Sequence, residues 1–137
     1  MKTFNVVAGI IIYKNKIMCA KRGVGYFEGL WEFPGGKIEI YESKEEALKR
    51  EIYEELNYRI NNFKHYLKVE KIFDSFTIIL DTFLIFSDYM NIKSNVHTDI
   101  KWGKLEELLF NEWCGADLEV IKYMLEDKSF NINLLEQ

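Results

Sequence analysis

Proline occurs once in these 137 residues, at Pro34, and cysteine twice, at Cys19 and Cys114. So little proline excludes a proline-rich spacer or low-complexity segment. Two distant cysteines with no ligand spacing around them exclude a disulfide framework and a cysteine-built zinc site. Both thiols are expected to pack in the interior, as free cysteines usually do, and to stay reduced in a cytoplasmic protein. A surplus of positive charge is also missing: 18 Lys and Arg stand against 22 Asp and Glu, for a net charge of −4. That leaves no electrostatic footprint for polymeric DNA or RNA, so a small anionic ligand would need a local cation. Long apolar runs are absent as well. The run in MKTFNVVAGIIIYKNK stops at YKNK, far short of the roughly 20 residues that span a bilayer, and it lacks a small-residue cleavage site. No membrane partner is expected.

What the chain does have is 48% hydrophobic and 15% aromatic residues, enough for one core in one domain over residues 1–137. Val6 to Tyr13 is β-branched and unbroken, which predicts a strand buried on both faces, and Ile17 to Lys21 predicts its return after a turn at Asn15-Lys16. Lys21 and Arg22 end that pair just before a Gly23-Val24-Gly25 loop, where basic side chains suit a phosphate as well as open solvent. In Leu30-Trp31-Glu32-Phe33-Pro34-Gly35-Gly36-Lys37 the proline and glycine pair fix a turn and allow close approach of backbone to a ligand. Phe63 to Phe73 and Phe76 to Phe86 read as an antiparallel strand pair with Asp81 the one charge inside the second. Asp88 to Thr98 is irregular, Ile100 to Trp102 a short strand, and Leu105 to Leu109 a helical turn. Leu118, Ile121, Met124 and Leu125 predict a helix over Asp117 to Leu125 with Asp117 as its N-cap.

The most informative stretch is GGKIEIYESKEEALKREIYEELNY, Gly35 to Tyr58. Ser43 with Glu46 three residues on is a capping-box pattern, which predicts a helix from Lys44 to Leu56. At about 100° per residue, Leu48, Ile52 and Leu56 form an apolar stripe, and Glu51, Glu54 and Glu55 cluster beside it. Like charges so spaced destabilise a helix by roughly 0.2–0.5 kcal/mol per pair. A solvated acidic face would tolerate that, but a hard cation gives the cluster a purpose.

The spacing favours the cation. Gly36, five residues, Glu42, seven residues, Arg50-Glu51-Ile52, one residue, then Glu54-Glu55 resembles the signature of the Nudix hydrolases, and most of the chain resembles the MutT-type nucleoside triphosphate pyrophosphohydrolases. Asn57 stands where the family has a glycine, a benign change because Asn tolerates the left-handed conformation that closes a helix. The resemblance implies an α+β fold, an α/β/α sandwich around a central mixed β-sheet. It implies Mg²⁺ or Mn²⁺ held by Gly35, Glu51, Glu54 and Glu55, with Arg50 orienting a glutamate, Glu42 supporting, and Glu51 the main catalytic base. Arg22, Phe33, Lys37 and Asp117 are the implied substrate-binding residues. The implied reaction is attack of water on a (deoxy)nucleoside triphosphate, giving nucleoside monophosphate and pyrophosphate, as in 8-oxo-dGTP diphosphatases that sanitise the nucleotide pool. Such enzymes act as monomers or homodimers.

Two positions depart from the pattern. Relatives carry a Glu-His pair before the tail tryptophan; here His97 is kept but Val96 replaces the glutamate, and Asp99 is the nearby carboxylate that could substitute. Phe76 stands where the oxidised-guanine enzyme has an arginine, and is expected to be a core aromatic. With an acceptor at Asp117 and Trp31 or Phe33 to stack on, a cytosine-type nucleotide is favoured. Other Nudix substrates, ADP-ribose or a dinucleoside polyphosphate, are the alternative, though no proline follows Pro34 where the ADP-ribose class has one. A non-catalytic nucleotide-binding domain is a third reading, opposed by the full set of box carboxylates.

Overall fold

β-Branched residues at Val6, Val7 and Ile10 to Ile12 favour extended backbone, and they form the middle of the first strand. The fold is described from a computed structural model covering residues 1–130; the expected domain, 1–137, extends past that boundary. In chain order the elements are β1 (Lys2–Tyr13), β2 (Lys16–Lys21), β3 (Trp31–Glu32), β4 (Gly35–Lys37), α1 (Lys44–Leu56), β5 (Phe63–Ile72), β6 (Phe76–Phe86), β7 (Asp99–Gly103), a 3₁₀ turn (Leu105–Phe110) and α2 (Gly115–Glu126). The sheet is mixed: β1 and β6 run parallel from Lys2↔Phe76 to Ile12↔Phe86, and the other pairings are antiparallel. The main path is β3-β2-β1-β6-β5, with β4 on β1 and β7 on β2.

Alternation along β1 divides the interior into two layers. Ala8, Ile10 and Ile12 join Ala116, Val120, Ile121 and Met124 of α2; Val7 and Ile11 join Ala47, Leu48, Ile52 and Leu56 of α1. Val7, Ile10, Ile11 and Ile12 are buried, as a strand covered on both faces requires. Each such Leu or Ile contributes roughly 1.5–3 kcal/mol by leaving water. The expected α/β/α sandwich is therefore what the residues build. Among the described residues no helix is long and apolar enough to cross a membrane.

α1 begins and ends where its local chemistry says. Ser43 Oγ accepts from the Glu46 N–H at 3.1 Å and Glu46 Oε1 from the Ser43 N–H at 3.0 Å. Asn57 closes the helix in the left-handed region, φ 51°, and its N–H donates to the Tyr53 carbonyl. Asp81, buried on β6, reaches Lys44 at 3.3 Å and His65 at 2.9 Å, which pins the start of α1 to the sheet.

Two expectations are corrected. The β1–β2 turn is Lys14-Asn15, with Lys14 at φ 53°, because Lys16 already pairs with Tyr13 and so short a hairpin loop needs positive φ. α2 starts at Gly115 with Cys114 as N-cap, so Asp117 lies inside the first turn instead of capping it. The cause is non-local. Trp31 N–H donates to the Glu112 carbonyl and Cys114 N–H to the Trp31 carbonyl, and this tether to β3 sets where the helix can begin.

Candidate active site

The segment Trp31 to Lys37 places the site. β3 pairs with β2, β4 with β1, and Phe33-Pro34 crosses between them, where the Pro34 carbonyl accepts from the Gly9 N–H at 2.8 Å. This crossing brings the Gly35-Gly36 pair against α1. A Cβ at Gly35 would run into the Val7 carbonyl, and one at Gly36 into the Glu51 carboxyl. Only glycine leaves that room.

Arg50 organises the carboxylates opposite. Its guanidinium bonds Glu42 through Nε at 2.7 Å and Nη2 at 2.9 Å, Glu51 through Nη1 at 2.8 Å, and the Lys37 carbonyl at 3.0 Å. Glu54, exposed, meets Nη1 at 3.4 Å. These bonds hold the Glu42 carboxyl well below the usual range, at about 2. Glu55 is half-buried and accepts from the Gly35 N–H at 3.1 Å. Burial, with Glu32 and Glu51 adding repulsion, pushes its carboxyl up to about 8. Glu51, Glu54 and Glu55 thus lie within one turn of α1, with Glu51 against Gly36 and Glu55 on Gly35 in the cavity lining while Glu54 stays exposed outside it. Hard oxygen donors of this kind are the type that Mg²⁺ or Mn²⁺ takes.

Glu51, Glu55, Gly35, Gly36 and Lys37 line a cavity of about 630 Å³ together with Arg22, Glu32, Phe33, Cys114 and Asp117. All the expected substrate residues therefore meet here. Phe33 is buried and packs on Trp113 at 4.9 Å between ring centres. Lys37 Nζ sits 4.4 Å over the Phe4 ring. Asp117 is fully enclosed; burial, then the Glu32 charge, raises its carboxyl well above the ordinary value against a hydrogen bond from the Phe33 N–H.

Several residues are not where the sequence suggested. Phe76 is half-buried on the cavity wall, stacked on Phe73 at 4.8 Å and edge-on to Phe4 and Tyr26. It is a lining aromatic, not a core one, because the Phe73–Phe76 turn carries it out over the mouth. Trp31 packs away from the cavity, under the Lys21 and Lys101 ammonium groups, so of the two rings expected to stack on a base only Phe33 lines the cavity. Cys114 is buried but also lines the cavity. Val96 and Asp99 are exposed and outside the lining, and Asp99 Oδ1 accepts from its neighbour's N–H.

Glu32 was missed. It bonds Arg22 Nη1 at 2.7 Å and His97 Nε2 at 2.9 Å. Its carboxylate, the Cys114 sulfur and an Asp117 oxygen all lie within 4.8 Å of one another. That trio suits a hard cation poorly: burial pushes the Cys114 thiol up to about 12 and raises the Asp117 carboxyl as well, and a thiol is a soft donor. It reads as the polar end of a ligand cavity. The available signal was a single charge in an apolar WEFP run next to the glycines.

Known proteins resemble this chain over most of its length. A NUDIX domain match covers residues 3–124. The chain is 37% identical over 122 residues to an 8-oxo-dGTP diphosphatase of Buchnera aphidicola (Schizaphis graminum), covering 88% of this chain and 92% of that one. It is 31% identical over 123 residues to the CTP pyrophosphohydrolase of Escherichia coli, covering 89% and 91%. The solution structure of the E. coli ORF135 protein superposes with a TM-score of 0.79 at 30% identity, covering 92% of this chain and 91% of that one. Nearly the whole described chain, from β1 through α2, is thereby accounted for, and the protein is a member of the Nudix family.

Proposed function

We propose that this chain is a Mg²⁺-dependent pyrophosphohydrolase that converts a (deoxy)nucleoside triphosphate, oxidised or cytosine-type, to nucleoside monophosphate and pyrophosphate. The observation that carries the reading is one cavity lined both by carboxylates of α1 with the facing glycine pair and by Arg22, Glu32 and Asp117. A nucleoside triphosphate needs both sets of groups. Its volume lies within the usual range for small-molecule sites.

A divalent cation, when bound by Glu51, Glu54, Glu55 and the Gly35 carbonyl, supplies positive charge against the phosphate oxygens and acidifies water. Glu51, steadied by Arg50, takes the proton from the attacking water. Arg22 meets phosphate, and Lys37 adds a second positive charge at the mouth. Phe33 offers an apolar face to the nucleobase, while Asp117 reads a polar edge. The site draws on one chain, so a monomer or a homodimer serves equally, and the work of clearing damaged nucleotides belongs in the cytoplasm.

The test is a panel of CTP, dCTP, 8-oxo-dGTP, ADP-ribose and the ordinary triphosphates with Mg²⁺, scored for pyrophosphate against orthophosphate. Pyrophosphate from a triphosphate is expected. Turnover of ADP-ribose alone, or no turnover with any member, would remove the proposal.

A further inference from the structure

His97 and Ser94 have no part in the reaction as drawn, yet they are among the most completely hydrogen-bonded polar groups near the cavity. The His97 side chain is only 2% exposed, with Nε2 at 2.9 Å from Glu32 Oε2. Its Nδ1 lies 2.7 Å from Ser94 Oγ. Ser94 Oγ already accepts the N–H groups of Val96, at 3.1 Å, and His97, at 2.9 Å.

Counting hydrogens decides the direction of this chain. A hydroxyl oxygen has two acceptor sites and one hydrogen. Both acceptor sites of Ser94 are taken, so its hydrogen goes to His97 Nδ1. The imidazole hydrogen then stands on Nε2 and is donated to Glu32. Glu32 thus has one oxygen held by Arg22 and the other by His97. Arg22 is 35% exposed at its side chain and also donates to the Tyr26 carbonyl in the loop, so it is the yielding end. The enclosed His97 is the fixed one.

The same loop is tied to the carboxylate helix. Asn95 N–H donates to the Glu55 carbonyl at 2.8 Å and Asn95 Nδ2 to the Glu54 carbonyl at 3.2 Å. Thr98 N–H donates to the Lys21 carbonyl at 3.0 Å, next to Arg22. Fixing the loop therefore fixes Glu32 relative to α1 and to the end of β2.

We infer that Ser94 and His97 are positioning residues: they lock Glu32 as an oriented hydrogen-bond acceptor whose free lone pairs face the bound nucleotide. This rests on the nucleotide reading of the cavity, with Glu32 acting on the substrate and His97 acting through Glu32. Orienting an acceptor before binding removes an ordering cost from association, so the clamp governs affinity more than the chemical step.

Three variants and a spectrum test it. His97→Leu removes the donor and is expected to raise KM about tenfold while kcat stays within about threefold; His97→Gln, which can still donate to Glu32, should recover most of that loss. Ser94→Ala keeps the imidazole but frees its tautomer, and KM should rise about threefold. Equal KM values for wild type and His97→Leu, or a loss that tracks melting temperature and is not rescued by Gln, would overturn the clamp. If His97→Leu does not fold, Ser94→Ala decides. The ¹⁵N spectrum of the wild-type imidazole needs no substrate: hydrogen on Nε2 is expected, and hydrogen on Nδ1 overturns the inference. A protein that hydrolyses no nucleotide yet shows the Nε2 tautomer would refute the proposed function and leave the clamp standing.

Discussion

Arg50 grips Glu42 by both carboxylate oxygens, at 2.7 and 2.9 Å, and extends its remaining nitrogen to Glu51. A planar fork can do this; an ammonium group cannot. Glu51 is thereby aimed by a residue that itself touches no substrate.

Arg50→Lys keeps the charge but loses the fork. Turnover at saturating Mg²⁺ is expected to fall about 10–100-fold, the usual cost of losing a partner that orients a ligand, with the far-UV circular dichroism unchanged. A variant within twofold of wild type would show that Glu51 needs no such aim.

Glu42→Gln probes the same contact through pH. The Glu42 carboxyl titrates near 4.5 when unfolded and at about 2 here, with the Arg50 hydrogen bond the main cause. A depressed carboxyl stabilises the fold above its unfolded pKa, and that contribution disappears as pH falls through the folded value. Wild type should therefore melt higher than Glu42→Gln at neutral pH, and the gap should close between pH 4.5 and 2. A gap independent of pH would mean that the ion pair is not its source.

Glu54→Gln should remove most turnover, on the order of 100-fold or more, because a cation-positioning carboxylate acts chiefly in the transition state. Glu54 is exposed on α1, so the melting temperature should hardly move. Near-normal kcat at high Mg²⁺ would take Glu54 out of the metal set.

Asp117→Asn separates base reading from support of α2. The folded carboxyl is raised above 3.8 by burial. Its stability contribution is complete below the unfolded pKa and declines as pH rises through the folded one. Asn escapes that decline, so the variant should gain a few degrees in melting temperature over wild type as pH rises. Donor pattern changes too, and the ranking of dCTP, CTP and 8-oxo-dGTP by kcat/KM should change with it. An unaltered ranking would leave Asp117 a packing residue.

What the sequence revealed was what short-range chemistry controls. Ser43, Glu46 and Asn57 bound α1 within their own turns, and Glu51, Glu54 and Glu55 share a face whatever surrounds them. Asp117 was misplaced as a cap because the true start of α2 depends on Trp31, distant in sequence but hydrogen-bonded to Cys114. Phe76 resembled a core residue because a continuous apolar strand gives no sign of which end overhangs a cavity. Glu32 and His97 were unreadable as a pair for the same reason: 65 positions separate them, and only the register of β2 with β3 and β7 brings them together.

α1 is fastened at both extremities, by Lys44 to Asp81 at its start and by Asn95 to the Glu54 and Glu55 carbonyls at its finish. A helix so held is restrained from fraying at either end. The amide protons of its interior turns should exchange with deuterium far more slowly than those of the exposed tip Val24 to Tyr26, which exchange by local opening. The helix that carries the carboxylates and the exposed loop beside Arg22 are thus expected to open independently, one on the timescale of folding and the other far faster.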